Sequence, residues 1–112
     1  KILLEKAEEY RNALYRSSNR MKYRDNWMNC IRKFENIYKQ YPKSEQAPWA
    51  LYRSAQTYTK LYQYSMLEAD LDQALEIYRK ITEEYGSHRL ADDSQYKIGE
   101  IHYEYRKDTT QA

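Results

Sequence analysis

Apolar residues recur along most of the chain at spacings of three and four residues, the period of an amphipathic α-helix. Ile31, Phe34 and Ile37, for example, lie on one such stripe. The pattern predicts five helices, at about residues 3–18, 26–41, 46–64, 71–85 and 89–106. The 112 residues include only two Gly and two Pro, too few for the turns of a sandwich or barrel of short strands. The sequence therefore predicts an all-α fold.

Turn-forming residues mark the ends of two predicted helices. Pro42 follows the second helix and Gly86 follows the fourth at an equivalent point. Ser44 and Ser87 come shortly after them and are placed to cap the helices that follow. Pro48 is tolerated only in a first helical turn, so the third helix is predicted to begin close to residue 47.

Acidic residues are the candidate N-terminal caps of the second and fourth predicted helices. Asp25 can cap the second helix, and Asp70, with Gln73 three residues later, resembles a capping box for the fourth.

The sequence repeats itself at an offset of 44 residues. The two aligned segments are Ile31-x2-Phe34-x2-Ile37-x3-Tyr41-Pro42 and Leu75-x2-Tyr78-x2-Ile81-x3-Tyr85-Gly86. The same offset pairs Ala47 with Ala91, Tyr52 with Tyr96, Arg53 with Lys97, and Ala55 with Gly99. A unit larger than one helix is therefore copied, which is typical of stacked helical pairs that bury their apolar faces only against neighbours.

Charge and cysteine content narrow the classes of function. The net charge of +2 divides into 13 Lys/Arg against 6 Asp/Glu in residues 1–65, and 6 against 11 in residues 66–112. This asymmetry fits complementary faces of neighbouring helices or a polyanion-binding half. No Lys/Arg run exceeds two residues and no nucleic-acid motif is present, which favours the first. The single cysteine, Cys30, excludes an internal disulfide and a multi-cysteine metal site.

The chain is expected to be one domain over residues 1–112, cut from a longer polypeptide. It begins with Lys1, shows no signal-peptide pattern, and ends in a polar stretch at 108–112 without a capping helix. No apolar run reaches the ~20 residues that span a bilayer.

Small and aromatic positions in the repeat carry a resemblance to a known family. Leu51-x2-Ser54-Ala55-x2-Tyr58, followed by Ala74-x3-Tyr78-x2-Ile81-x4-Gly86, resembles the tetratricopeptide repeat. Cys30-x3-Phe34-x2-Ile37-x4-Pro42 resembles its second half and Gln95-x2-Ile98-Gly99-x2-His102 its first half. The resemblance implies a right-handed superhelical stack of antiparallel helix pairs that binds proteins. The unit is about ten residues longer than the standard ~34, and we place the excess in residues 61–69.

Further motifs resemble bacterial cell-envelope proteins. Tyr23-Arg24-Asp25-Asn26-Trp27, Tyr41-Pro42-x-Ser44-x2-Ala47-Pro48 and Leu90-Ala91-Asp92-Asp93 look like the helical segment before the catalytic domain of some N-acetylmuramoyl-L-alanine amidases. The resemblance implies a periplasmic or envelope location. The zinc ligands and glutamate of such an amidase are not among these residues.

No catalytic, cofactor or metal site is expected in these residues. His88 and His102 lack neighbouring ligands at the helical spacing of a metal site. Asp92 and Asp93 are adjacent on a helix, so they point about 100° apart and suit the helix dipole better than a shared cation.

Most large aromatic residues are assigned to packing. Phe34, Tyr58 and Tyr78 fall on packing positions of the repeat, and Trp27 is expected to pack in the core or at an interface. Cys30 aligns with Ala74 in the small-residue slot of a second helix, where a thiol acts as a small hydrophobe. Trp49 remains open between packing and a role as a ligand platform, and Tyr52, Tyr96 and Tyr103 are not on packing positions.

The resemblance also implies a binding groove along the first helices of the pairs. Its residues map to Trp49, Tyr52, Gln56, Thr59 and Lys60 in one unit and to Asp93, Tyr96, Glu100, Tyr103 and Glu104 in the next. They would form one concave face with an aromatic floor, acidic at its C-terminal end, that suits a basic or mixed peptide. Trp49, Tyr52 and Tyr96 are the candidate anchors. The same rings could instead pack against the rest of a parent chain.

Two functions remain open from the sequence. The first is a non-catalytic scaffold that binds a protein or peptide partner, with no nucleic-acid partner and no cofactor. The second is an accessory domain that positions or restrains a peptidoglycan amidase domain elsewhere in the same chain.

Overall fold

The computed structural model of the protein describes residues 2–106. Within them lie five α-helices and no strand: α1 (Ile2–Tyr15), α2 (Arg24–Gln40), α3 (Gln46–Ser65), α4 (Glu68–Glu84) and α5 (Arg89–Ile101). A 3-10 turn at Arg20–Lys22 precedes α2, and a π-helical turn at His102–Arg106 continues α5. The all-α prediction is confirmed, while the predicted polar end at 108–112 lies outside the described residues.

Predicted and observed helix bounds agree to within two residues at most helix ends. The exceptions are the end of α1, the start of α4, which is at Glu68 and not residue 71, and the end of α5, where a π turn replaces the α-helix after Ile101. The prediction carried α1 to residue 18, but it ends at Tyr15. The backbone N–H of Arg20 donates to Ser17 Oγ at 3.1 Å, and the N–H of Met21 donates to the Ser17 carbonyl at 3.0 Å. Serine side chains that bond to nearby backbone groups compete with helix formation, and this explains the early stop.

The helices pack in chain order, each against the next. The helices α2, α3, α4 and α5 are joined by connections of only a few residues, so consecutive helices are antiparallel neighbours. Both α2 and α4 have 17 residues and begin 44 positions apart, as the internal repeat predicted. This packing is consistent with a stack of tetratricopeptide-like helix pairs, α1 with α2 and α3 with α4, followed by α5.

Residues 61–69, in which we placed the extra length of the repeat, comprise the end of α3, the connection and the first two residues of α4. The helix α3 has 20 residues and runs to Ser65, with a short connection before α4. Met66 ends α3 in the left-handed conformation, with φ of 56°, and its N–H donates to the Tyr62 carbonyl at 2.8 Å.

The predicted acidic caps are wrong. The N-cap residues are Tyr23 for α2 and Leu67 for α4, and neither makes a side-chain cap hydrogen bond. Asp25 lies inside the first turn of α2, and Asp70 lies inside that of α4. The Asp70 carboxylate instead binds Arg24 of α2, because packing brings a cationic partner to it.

The predicted serine caps are also wrong, whereas the predicted helix stops are correct. The Ser44 hydroxyl donates to the Tyr41 carbonyl at 2.7 Å, and the N-cap residue of α3 is Glu45. The cap of α5 is not Ser87 but His88, whose Nδ1 accepts from the Leu90 N–H at 3.1 Å. Pro48 is in the first turn of α3, as predicted.

The core runs between the packed helices and contains the residues assigned to it. Trp27, Phe34 and Tyr78 are all buried, and Trp27 Nε1 donates to the Met21 carbonyl at 3.0 Å. Cys30 is fully buried, and this burial raises the pKa of its thiol to about 11. The core assignments of Trp27, Phe34, Tyr78 and Cys30 are confirmed.

Candidate functional site

A cavity of about 270 Å³ lies between α3 and α5, the first helices of two successive units. Tyr78 of α4 lines it from the intervening helix. The other lining residues are Gln56, Thr59, Lys60 and Gln63 on α3, and Lys97, Glu100, Ile101, Glu104 and Tyr105 on α5 and its π turn. They recur three or four positions apart on each helix, so each helix directs one face toward the cavity.

Hydrogen bonds hold several of these polar side chains in place. Gln63 Nε2 donates to the Tyr105 hydroxyl at 3.0 Å across the cavity, from α3 to the π turn. Lys97 Nζ lies 3.3 Å from Glu100 Oε1. Gln56 Oε1 accepts from Arg53 Nη1 at 2.9 Å, which leaves its amide NH2 free of any hydrogen bond given by the described residues. The cavity therefore offers amide and charged groups suited to the polar backbone of a peptide.

The structure brings together half of the ten residues predicted for the groove. Gln56, Thr59, Lys60, Glu100 and Glu104 line the cavity. The other five do not line this cavity. Whether any of them contacts a partner stays a prediction.

Tyr52 was predicted as an exposed anchor, and this interpretation of its position is wrong. Its side chain is only 8% exposed and belongs to the core. The ring meets Tyr78 edge to face, with the centroids 5.6 Å apart. Burial raises the pKa of its hydroxyl above the usual value. The repeat alignment could not reveal this, since the covering helix α4 belongs to the tertiary fold.

Tyr96 and Tyr103, unlike Tyr52, are exposed to solvent. They are 69% and 65% exposed and line a face of α5 away from the cavity. Asp93 is also exposed and outside the cavity lining.

Trp49 lies near one end of α3, and its ring has two cationic neighbours. The guanidinium carbon of Arg53 is 5.4 Å and that of Arg89 is 5.0 Å from the ring centroid. The His88 ring is nearly perpendicular to the indole, with the ring centroids 6.4 Å apart, and His88 Nε2 lies 3.2 Å from Glu45 Oε2. The half-buried indole thus joins α3 to the start of α5, which favours the packing interpretation over a free ligand platform.

Sequence reasoning missed Gln63, Lys97 and Tyr105. Gln63 lies four positions after Thr59, and Lys97 lies three before Glu100, so helical spacing alone could have found both. Tyr105 could not be found in this way, because the π turn at His102–Arg106 departs from the 3.6-residue period.

Residues 2–106 contain no group of three or more His, Cys, Asp or Glu side chains that could hold a metal ion. In the same residues no helix is both long and apolar enough to cross a membrane. The ring of His102 is buried, and its Nδ1 has no hydrogen-bond partner in this part of the chain.

Comparison with known proteins identifies the repeat. Residues 49–88, which comprise nearly all of α3, all of α4 and the turn before α5, match the tetratricopeptide repeat family. No curated protein and no solved structure matches the chain. The chain therefore contains a tetratricopeptide-like helical module, a type of domain that is generally non-catalytic and mediates protein–protein interaction. The resemblance to amidase segments stays a prediction.

Proposed function

We propose that this chain is a protein-binding scaffold whose cavity between α3 and α5 holds an extended peptide segment of a partner. The observation that carries the proposal is the convergence of polar side chains from two consecutive first helices on one cavity with Tyr78 at its wall. The family match over residues 49–88 supports a role in protein interaction.

The charges of the cavity indicate the kind of peptide. Lys97 and Glu100 already pair with each other, whereas Glu104 is exposed and forms no ion pair with the described residues. Lys60 lies over the Tyr15 ring, with Nζ 5.1 Å from the centroid. The uncompensated charge near the π turn is therefore negative, and it favours a basic residue in a peptide that otherwise bonds through its backbone.

Peptide selection with a charge-reversal variant tests the proposal. Peptides would be selected from a random phage-displayed library on the wild-type protein, synthesised, and titrated calorimetrically. Glu104→Lys should weaken the selected peptides by about tenfold or more, equivalent to about 1.4 kcal/mol. Glu83→Lys makes the same charge change on the exposed surface of α4, outside the cavity, and should leave their affinity unchanged.

Two results would contradict the cavity as the binding site. One is a selected peptide that binds the wild type and Glu104→Lys equally well. The other is a selection that yields no peptide above background on correctly folded protein.

The setting that we propose for this scaffold is the bacterial cell envelope, with the amidase accessory role as its narrower form. The support is the resemblance of Tyr41-Pro42-x-Ser44-x2-Ala47-Pro48 and related motifs to envelope proteins. Reading the gene beyond the codon for Ala112 tests the narrower form, because a zinc-hydrolase domain would support it and a stop codon or further repeats would refute it. Fractionation of cells that express the tagged gene product tests the location, and recovery only with cytoplasmic markers would refute it.

A further inference from the structure

Equivalent residues of the repeat are buried on α3 but exposed to solvent on α5. Tyr52 and Tyr96 are equivalent at the 44-residue offset, yet the first is 8% and the second 69% exposed. Ala55 is fully buried, whereas a Cβ added at its counterpart Gly99 would meet no atom within 4 Å. The difference arises because α4 and α5 both follow α3 and pack on it, while no described helix follows α5.

The contacts of Tyr78 show which kind of side chain packs on Tyr52 and its neighbours on α3. Its ring meets Tyr52 edge to face, and its hydroxyl lies near the Thr59 side chain. These two residues lie seven positions apart, two turns of α3. Their counterparts on α5 are Tyr96 and Tyr103, both exposed. The open face of α5 thus presents two rings and a glycine where α3 receives an aromatic side chain from a packed helix.

The open face of α5 has polar residues at repeat positions where α3 has buried apolar ones. Leu51 and Pro48 are buried on α3, whereas their counterparts Gln95 and Asp92 are exposed on α5. Polar residues allow a surface to stay in water when nothing covers it, as in interfaces whose partners separate. This favours a partner that binds and leaves over a permanently packed element.

The unpaired acidic residues of α5 favour a partner that carries positive charge. Asp92 and Asp93 are exposed on α5, and neither forms an ion pair with any residue between 2 and 106. The cations of α5 and its π turn are engaged in ion pairs or ring contacts: Lys97 with Glu100, Arg106 with Glu68 and Asp72, and Arg89 with Trp49.

We propose that the face of α5 formed by Asp92, Gln95, Tyr96, Gly99 and Tyr103 docks a basic amphipathic helix of another protein. The partner helix places an aromatic side chain between Tyr96 and Tyr103 and passes close to the backbone at Gly99, where no Cβ intervenes. Its basic residues face the acids that flank this surface. The helix occupies a different face of α5 from the peptide cavity, so the proposal is independent of the proposed function.

A synthetic helix derived from α4 is the probe. It carries the sequence of residues 68–84 with Lys in place of four of the exposed acidic residues, Glu68, Asp72, Glu76 and Glu83. A matched probe also carries Tyr78→Ala. Binding to the protein expressed at the full length of its gene would be measured by fluorescence anisotropy. The first probe should bind at least about tenfold more tightly than the Tyr78→Ala probe.

Gly99→Arg blocks the face without entering the core, because the position opens into free space. This variant should keep the wild-type circular dichroism and lose at least about tenfold in affinity for the first probe. Gln73→Arg puts the same side chain on the exposed surface of α4 and should bind as the wild type does. Peptides that bind the cavity should be unaffected by Gly99→Arg, so this proposal and the proposed function can fail separately.

Other occupants are outcomes that would overturn the proposal. If the protein alone dimerises in sedimentation experiments and Gly99→Arg dissolves the dimer, the occupant is a second copy of the chain. If the probe binds residues 1–112 but not the gene-length protein, a segment of the same polypeptide covers the face. Equal affinity of the wild type and Gly99→Arg for the probe would mean that this face is not a docking site.

Discussion

The ion pair between Arg24 and Asp70 joins the second helices of successive units, and its removal should destabilise the stack. The Asp70 carboxylate, 1% exposed, accepts from Arg24 Nη1 at 3.0 Å and Nη2 at 2.6 Å, and from Ser65 Oγ at 2.7 Å. Arg24→Met leaves the buried carboxylate with the serine alone. Loss of one partner of a buried pair costs about 3–5 kcal/mol, and we expect about 3 because the Arg24 side chain is 47% exposed and water can reach its place.

A double variant measures the interaction energy between Arg24 and Asp70 separately from the effect of each single change. Asp70→Asn keeps an oxygen acceptor and removes the charge, and it should cost about 1–2 kcal/mol. Arg24→Met with Asp70→Asn should then cost about 1–3 kcal/mol less than the sum of the single changes, since residues in contact are not additive. Urea unfolding followed by circular dichroism measures all four proteins.

The pH dependence supplies a second test of the same pair. Burial by itself raises the pKa of Asp70, but the hydrogen bonds from Arg24 and Ser65 outweigh it, and the pKa lies below its usual value. A carboxyl whose pKa is lowered by folding stabilises the protein above its unfolded pKa of about 3.9, and this stability is lost as the pH falls through the folded pKa. In Arg24→Met the effect of burial remains without the cation, so the pKa of Asp70 should rise and protonation should relieve the cost of the buried charge.

The stability difference between wild type and Arg24→Met should therefore shrink as the pH falls from 7 toward 3. Strictly additive single changes, or a difference that is the same at both pH values, would refute the reasoning.

Three further predictions concern single sites. Phe34→Ala and Tyr78→Ala should each lower the free energy of unfolding by about 3 kcal/mol or more, because each empties a buried aromatic site; unchanged thermal midpoints for both would show the repeat register to be wrong. Cys30 should resist thiol reagents in the native protein at pH 8, since burial raises its pKa to about 11, and fast labelling would contradict this. Gly99→Ala should stabilise the protein by about 0.5–1 kcal/mol in thermal or urea unfolding, whereas Gly86→Ala should not, because its Cβ would lie 3.1 Å from the Thr82 carbonyl oxygen.

The helices and the repeat could be predicted from the sequence because both depend on local order. The spacing of residues such as Ile31, Phe34 and Ile37 fixes which side of a helix is apolar, whatever that side later packs against. The offset of 44 likewise predicted that α2 and α4 begin and end at equivalent residues. About half of the candidate site followed from the tetratricopeptide resemblance, which implied that Gln56, Thr59 and Lys60 face a groove.

The caps show where local reasoning failed. Asp70 has the residue type and position of a capping box, but the cation that binds it comes from α2, 46 positions earlier in the chain. His88 caps α5 in place of the nearby Ser87. A side-chain acceptor forms a hydrogen bond with any donor that tertiary packing brings close to it. The sequence alone does not distinguish this donor from the free backbone N–H groups at the start of the helix.

Tyr52 and Tyr96 separate the two kinds of information most clearly. The sequence by itself determined that they are the same residue at the same place in the repeat. Only the tertiary structure decided that Tyr52 is buried against Tyr78 and that Tyr96 faces solvent. The physical reason is that a helix carries its own periodicity, whereas burial depends on the other helices that pack on it. Within residues 2–106, α4 and α5 follow α3 and pack on it, whereas no helix follows α5.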